Sequence, residues 1–571
     1  MKPTPTILPT PPLVPLAASR AAGRASNLHP YVTAGDPNIG RAFRIASGDL
    51  VSNILPSTAL PFPRARFPQS KKQWDALTAR LTEIAGTRDV FPDRVSLVVG
   101  GIDYRVSIYP FDVAMYAWDG AGFLQSDAVT SSLLYTLKAE ENGEIHCYNL
   151  QNLNGMSWTV AAWANYLHTG SRPFLKVALA ATLNGLAYGE RTEFDPQLNL
   201  FRGPAFMGDG ISQYPDSWAK SMPGVGHIIK WPQHHPDKKV AVGLGLPMHV
   251  LSIQCINYQG YVLAARMQQE LRLKVDQTLL ERAARLKAAI NQHFWREDAG
   301  IYRYMLDVYG GSDQQEGWGN TLALLFDIAS PEQAKRVFAS IQITPQGIPV
   351  IWPNWPRYAS PDAMIFGNRN SIWPSINGVW SEVAASAGRM DLFTLELKKT
   401  ADRACRDNQF AEMYHPITGG IYGGVQEGMT MRNGEEMKAF IAARLGGAGE
   451  QTPEAMAKLF APVKGKEGIN LWQSCGRNTI SSTAYVRMVI HGLCGLRLET
   501  DGITFQPTIP KGMSPVAVYE LPYRQAELEI HITGEGQQVR RITINGKEAR
   551  TLPTTATGKQ TILIEMAAAG N

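Results

Sequence analysis

The feature that most constrains this chain is a change of period near its end. From about Asn38 to Gly495, apolar residues recur at i, i+3 and i+4 in segments such as RPFLKVALAATLNGLAYG, TLLERAARLKAAINQHFW and FTLELKKTADRAC. That spacing puts one apolar stripe on each of a series of helices. From Leu496 the pattern becomes short alternating runs, AVYELPY, AELEIHI and RRITI, split by DG, KG, GEG and NGK. Period two with such turns predicts antiparallel strands. Several helical segments stop at a glycine suited to the left-handed cap, as at Gly170 and Gly388. The regular helix–loop–helix rhythm fits a toroid of hairpins, although no strict repeat is present. The expected organisation is a leader over 1–35, a mainly α barrel over 36–495 and a small β-domain over 496–571. A short strand-like patch, Arg94 to Phe111, falls inside the barrel.

Composition excludes several classes. With 44% hydrophobic and 18% charged residues among 571, the chain can bury a large core. The net charge of +5 is not gathered into Lys/Arg runs, which argues against a nucleic-acid or anionic-membrane binder. No later apolar run reaches the roughly 20 residues needed to span a bilayer. Cys147, Cys255, Cys405, Cys475 and Cys494 form no CxxC pair, so neither a zinc site nor a disulfide framework is indicated. The opening MKPTPTILPTPPLVPLAASRAAG has a signal-like outline interrupted by prolines; it leaves a periplasmic or secreted location and a cytoplasmic one equally open. Phosphate-loop, dinucleotide, zinc-protease and serine-hydrolase motifs are missing from any convincing context.

What remains is a set of carboxylates in long loops rich in Trp, Gly and Pro, and loops of that length commonly build a site. AWDGAGF carries Trp118 and Asp119, where Asp119 reads equally as a helix cap or as a ligand for sugar hydroxyls. FRGPAFMGDGISQYP carries Arg202 and Asp209, and its DG turn is also common punctuation. GIPVIWPNWP carries Trp352 and Trp355, and NRNSIWPSINGVW carries Arg369, Asn370 and Trp373. FAEMYHPITGG carries Glu412 and Tyr414, and WQSCGRNT carries Gln473 and Arg477. Glu316, Glu427 and Glu436 are alternative acids.

The order of AWDGAGF, RGPAFMGDG, NRNSIWPSINGVW and AEMYHPITGG resembles the six-hairpin glycosidases, in particular the mannosyl-oligosaccharide glucosidase and trehalase group and the bacterial amylo-alpha-1,6-glucosidase-like proteins. The resemblance spans about Asp36 to Met566. It implies an (α/α)6 toroid with a C-terminal β-domain, a carbohydrate substrate, and neither metal nor other cofactor. It further implies that Asp209 is the general acid, that Glu412 matches the base of an ENYNP-like segment, and that Asp119 binds substrate. Trp118, Trp352, Trp355 and Trp373 become stacking surfaces. Arg202, Arg369, Asn370, Tyr414, Gln473 and Arg477 become polar contacts. The acid loop departs from the ESGxDxSPR pattern of the group. An inverting pair needs its carboxyls about 6.5–9.5 Å apart, with water between base and sugar. A sugar phosphorylase, a polysaccharide lyase and a non-catalytic carbohydrate binder are the alternatives on the same toroid.

Overall fold

The computed structural model describes residues 28–56, 71–92, 95–101, 108–147, 155–206, 213–219, 228–353, 355, 371–421 and 475–567. Six helices form an inner ring: α3 (Pro110–Trp118), α5 (Met156–Thr169), α7 (Leu251–Glu270), α9 (Gly317–Leu325), α11 (Pro374–Ser386) and α13 (Thr479–Arg487), the last continuing as a π-helical segment, Met488–Leu493. Each packs against the next, and α13 returns to α3, closing the toroid. Outside them lie α1 (Pro37–Ser52), α4 (Gly122–Tyr135), α6 (Arg172–Thr192), α8 (Gln277–Phe294), α10 (Pro331–Ser340) and α12 (Met390–Asp407). A further helix, α2 (Lys71–Ala85), rests on α6.

The two rings differ in sequence because they differ in solvent. Outer helix α8 buries only one stripe, including Leu279, Ala283, Leu286 and Ile290, as a helix with one wet face must. Inner helix α5 buries nearly every residue from Met156 to His168, and α11 is similar, with small residues such as Ser375, Gly378 and Ser381 where neighbours approach closely. Local signals set the ends. Asp36 accepts from Asn38 N at the start of α1, Ser330 and Gln333 form a capping box on α10, and Gly170 closes α5 at φ 71°.

The strands begin at Leu496, with β2 (Leu496–Leu498) and β3 (Gly502–Phe505), followed by β4 (Val516–Tyr523), β5 (Gln525–Thr533), β6 (Val539–Ile544), β7 (Lys547–Glu548), β8 (Thr551–Pro553) and β9 (Thr557–Met566). Three expectations need correcting. The leader does not extend to residue 35 as a separate piece: Tyr31–Thr33 is strand β1, paired with β4 in register Val32↔Val518, and Val32 is buried. The C-terminal sheet, of order β1-β4-β5-β9-β6-β7, is mixed, because β5 and β9 run parallel. In the Arg94–Phe111 patch only Ser96–Val98 is strand among the described residues, paired with Ile54–Pro56, while Phe111 already belongs to α3. The proline at Pro110 opens that helix, where its missing N–H costs nothing.

Candidate active site

The N-termini of the inner helices meet at one end of the barrel. Thr479 N at the start of α13 donates to Gly100 O just ahead of α3, and Ser252 N at the start of α7 donates to Glu316, the residue capping α9. Ile372, ahead of α11, exchanges both backbone hydrogen bonds with Tyr414 at 2.9 Å. Inner helices thus present their positive dipole ends to this mouth, a setting that favours anions.

Glu412 lies in the extended segment tied between α11 and α13. Its N–H donates to Cys475 O at 2.9 Å, its carbonyl accepts from Ser481 Oγ at 3.4 Å, and its carboxylate Oε2 accepts from Cys475 N at 3.2 Å. The residue is 5% exposed. A backbone N–H on a carboxylate oxygen stabilises the ionised form and fixes its direction. Cys475 could not have been found from the sequence as a partner, because its contribution is main-chain.

Asp209 lies outside the described residues, but both ends of its loop are held at the same mouth. Ala205 N donates to Tyr214 Oη at 2.9 Å, which clamps the base of the loop. Phe206 N donates to Ser252 Oγ at 3.0 Å, and the Phe206 ring meets Phe111 and Trp318 edge-on, with centroids 4.9 and 5.0 Å away. Tyr214 faces Tyr304, which in turn faces Trp355. Tyr304 Oη and the indole N–H groups of Trp318, Trp355 and Trp373 carry no hydrogen bond among the described residues. Buried aromatic polar edges are normally bonded, so this cluster sets four polar tips within an apolar wall.

Glu316, an alternative acid in the sequence reading, is buried among these rings with Oε2 on Ser252 N at 3.1 Å. Burial pushes its carboxyl up to about 8 against the pull of those hydrogen bonds. It links the starts of α7 and α9, and Ser252 in turn holds Phe206, so its contacts are architectural. Glu427 and Glu436 lie outside the described residues, as do Arg369, Asn370 and Gln473.

The remaining predicted residues divide. Trp352 is half-buried opposite Gln315 in the ladder beside Glu316; Trp355 and Trp373 are buried at the mouth. Arg477, at φ 44°, stands one residue before the α13 cap, with its N–H on Gln409 Oε1. Arg202 is taken up by the hairpin that leaves α6, paired with Asp195 at 3.0 Å and the Phe194 carbonyl. Tyr414 is not available as a sugar contact. It is buried, its Oη accepts from Ala411 N at 2.8 Å, and Arg403 lies over its ring; it locks the Glu412 turn.

Trp118 and Asp119 do not join this cluster. They end α3 at the opposite side of the barrel, and Asp119 is 0% exposed, closing the helix with its N–H on Met115 O. Arg487 stacks on Trp118 at 4.6 Å, donates to the Trp118 carbonyl at 3.0 Å and reaches Asp119 Oδ1 at 3.5 Å. From Ser481, which contacts Glu412, to Arg487 the helix advances about 9 Å at 1.5 Å per residue. The expectation that AWDGAGF shares a cavity with Glu412 is therefore corrected: Asp119 is a buried helix-end acid paired with arginine.

Residues 157–429 match the family model of the mannosylglycerate hydrolase MGH1-like glycoside hydrolase domain. That span, just under half of the chain, is similar to a glycoside hydrolase domain. Asp209, Glu316 and Glu412 fall within that span, whereas Trp118 and Asp119 precede it. Among solved structures, a sialidase is similar to this chain with a TM-score of 0.57 and 12% identity, over 92% of this chain and 41% of that one. This is a likeness of fold, and the chain spans about two fifths of that sialidase's length. The GH63 mannosylglycerate hydrolase from Thermus thermophilus, in complex with Tris, gives a TM-score of 0.45 and 12% identity over 61% of this chain and 96% of its own. The GH78 rhamnosidase of Bacillus sp. GL1 gives 0.46 and 11% over 95% and 45%. No curated protein matches.

Proposed function

We propose that this chain is an inverting glycoside hydrolase, with Glu412 as general base and Asp209 as general acid. The observation that carries the reading is the Glu412 carboxylate, held by Cys475 N at the converging N-termini, across a mouth to which both ends of the Asp209 loop are clamped. Glu412 takes a proton from water as that water attacks the anomeric carbon, while Asp209 gives a proton to the departing glycosidic oxygen. Glu412 is suited to the base because its hydrogen bond and the helix ends favour the anion. Asp209 in this role needs a raised pKa, of the kind that apolar aromatic surroundings give a carboxyl by opposing its ionisation. Half-buried Trp352 supplies a face for the sugar ring, Trp355 and Trp373 are buried within the wall, and Arg369, Asn370, Gln473 and Arg477 supply its hydroxyl contacts.

Mannosylglycerate, named in the family description, is the first substrate to test, beside a panel of aryl glycosides and oligosaccharides. The readout is proton NMR of the anomeric signals during the first turnovers. First-formed product of inverted configuration is expected; retained configuration would contradict the assignment of roles.

A further inference from the structure

At the end of the barrel opposite Glu412, the inner helices and β2 surround a cavity of about 260 Å³. Trp118, Trp163 and Phe326 give it aromatic walls, and Asn165, His168 and Gln259 line it with polar groups. His491 also lines it; from Ser481 to His491 the chain of α13 advances roughly 12–15 Å, so this space is separate from the mouth.

Three buried polar side chains on the wall are incompletely bonded. Asn165 is 3% exposed; its Oδ1 accepts from Thr130 Oγ1 at 3.2 Å, and its Nδ2 has no partner among the described residues. His168 Nδ1 and Arg487 Nε, on residues 6% and 4% exposed, have none there either. Such atoms are rare in folded proteins and call for an explanation. The amide and guanidinium groups donate, while a neutral imidazole offers one donor and one acceptor. Burial keeps His168 and His491 neutral, with each brought down to about 4.

Charge narrows the ligand further. Glu382 pairs with Arg487 at 2.7 Å and Arg497 at 3.6 Å, and Glu499 also lines the space. Two glutamates thus face two arginines, and burial holds the neighbouring Asp119 carboxyl up at about 8, hence protonated near neutrality. A charged ligand would find no unmatched counter-charge, and a purely apolar one would take water from the Gln259 amide and the charged groups of the lining without replacing its hydrogen bonds. Hydroxyl groups both donate and accept, and a sugar's C–H face suits an indole.

We propose that this cavity is a second ligand site, which takes a neutral polyhydroxylated molecule of monosaccharide or polyol size. The test uses the full chain carrying Glu412→Gln, so that turnover does not interfere. D-mannose, D-glucose and glycerol are titrated by calorimetry and ligand-observed NMR. Ala164→Phe places a ring in the cavity, since Ala164 lines it, and Gln259→Leu removes a polar group at nearly constant volume. The expected result is binding of at least one probe, abolished by Ala164→Phe and weakened roughly 2- to 10-fold by Gln259→Leu, the scale of one neutral hydrogen bond. Each variant in the wild-type background should retain turnover. Should Ala164→Phe fail to fold, Gln259→Leu still decides. No binding of any probe at tens of millimolar, or binding equal in parent and Gln259→Leu, would overturn the site. Loss of turnover in a folded Gln259→Leu protein would also overturn it, by making the cavity part of the catalytic centre.

Discussion

The two ends of the barrel hold the same kinds of residue and treat them in opposite ways. At the N-terminal mouth, Glu412 receives a backbone N–H on its carboxylate, and the inner-helix dipoles point their positive ends toward it. At the far end, Asp119 closes α3, where helix carbonyls repel an anion, and burial lifts its carboxyl to about 8 despite Arg487. A Trp-Asp pair and an Ala-Glu pair look alike as strings. The difference lies in what each acid meets: a main-chain N–H on the Glu412 carboxylate, and for Asp119 full burial beside Arg487.

Glu382 shows how the far end accommodates an anion. Burial opposes its ionisation, yet Arg487, His491 and Arg497 bring it down to about 2. The comparison predicts its largest effect here: Arg487→Met should lower stability by about 3–5 kcal/mol, the usual cost of removing one partner of a buried pair, measured by denaturant unfolding. A loss below about 1 kcal/mol would show that Glu382 and Asp119 do not depend on that cation. At the mouth, Asp209→Asn should lower kcat by at least ~10²-fold with little change in KM, and an activated leaving group should partly restore it. Equal losses on activated and unactivated substrates would remove Asp209 from the acid role.

A third effect separates buried carboxyls by sign. The Glu316 carboxyl is raised to about 8 from 4.5 by burial, so between those values the folded protein holds a proton that the unfolded chain releases. That contribution is fully present below about 4.5 and is lost as pH rises through 8. Glu316→Gln should therefore flatten the decline in stability across this window by up to about 1.4 kcal/mol per pH unit. Glu382 has the reverse sign: its contribution is present above 4.5 and is lost as pH falls toward 2. An unchanged slope in Glu316→Gln would place its pKa near the ordinary value. The smallest effect is local. Asn478 Oδ1 caps α13 by accepting from Ser481 N at 2.9 Å, and Asn478→Ala should cost about 1 kcal/mol, read as a lowered thermal midpoint.

The ring of helices was legible because amphipathic stripes and left-handed glycine caps are local signals, as Gly170 illustrates. The switch to strands at Leu496 was equally local. Strand β1 was not legible: three residues of YVT carry too little pattern, and they pair with a partner almost the whole chain away. Among the candidate residues, Glu412 stood out by its turn of Tyr and Pro. Tyr414 was misread because its Ala411 contact and the overlying Arg403 are matters of packing. Asp119 was misread because local sequence gave it a cap or a ligand role without revealing Arg487 far along the chain. The far-end cavity escaped notice for the same reason, since Glu382 and Arg487 look like solvated charges on two apolar helices.

The most direct test compares one carboxylate from each end. Glu412→Gln and Glu382→Gln are made in the full chain, confirmed folded by circular dichroism, and assayed for kcat on the same unactivated glycoside. Glu412→Gln should fall by at least ~10²-fold while Glu382→Gln stays close to wild type. Near-normal turnover of Glu412→Gln, with collapse of a folded Glu382→Gln, would contradict the account and move catalysis to the other end of the barrel.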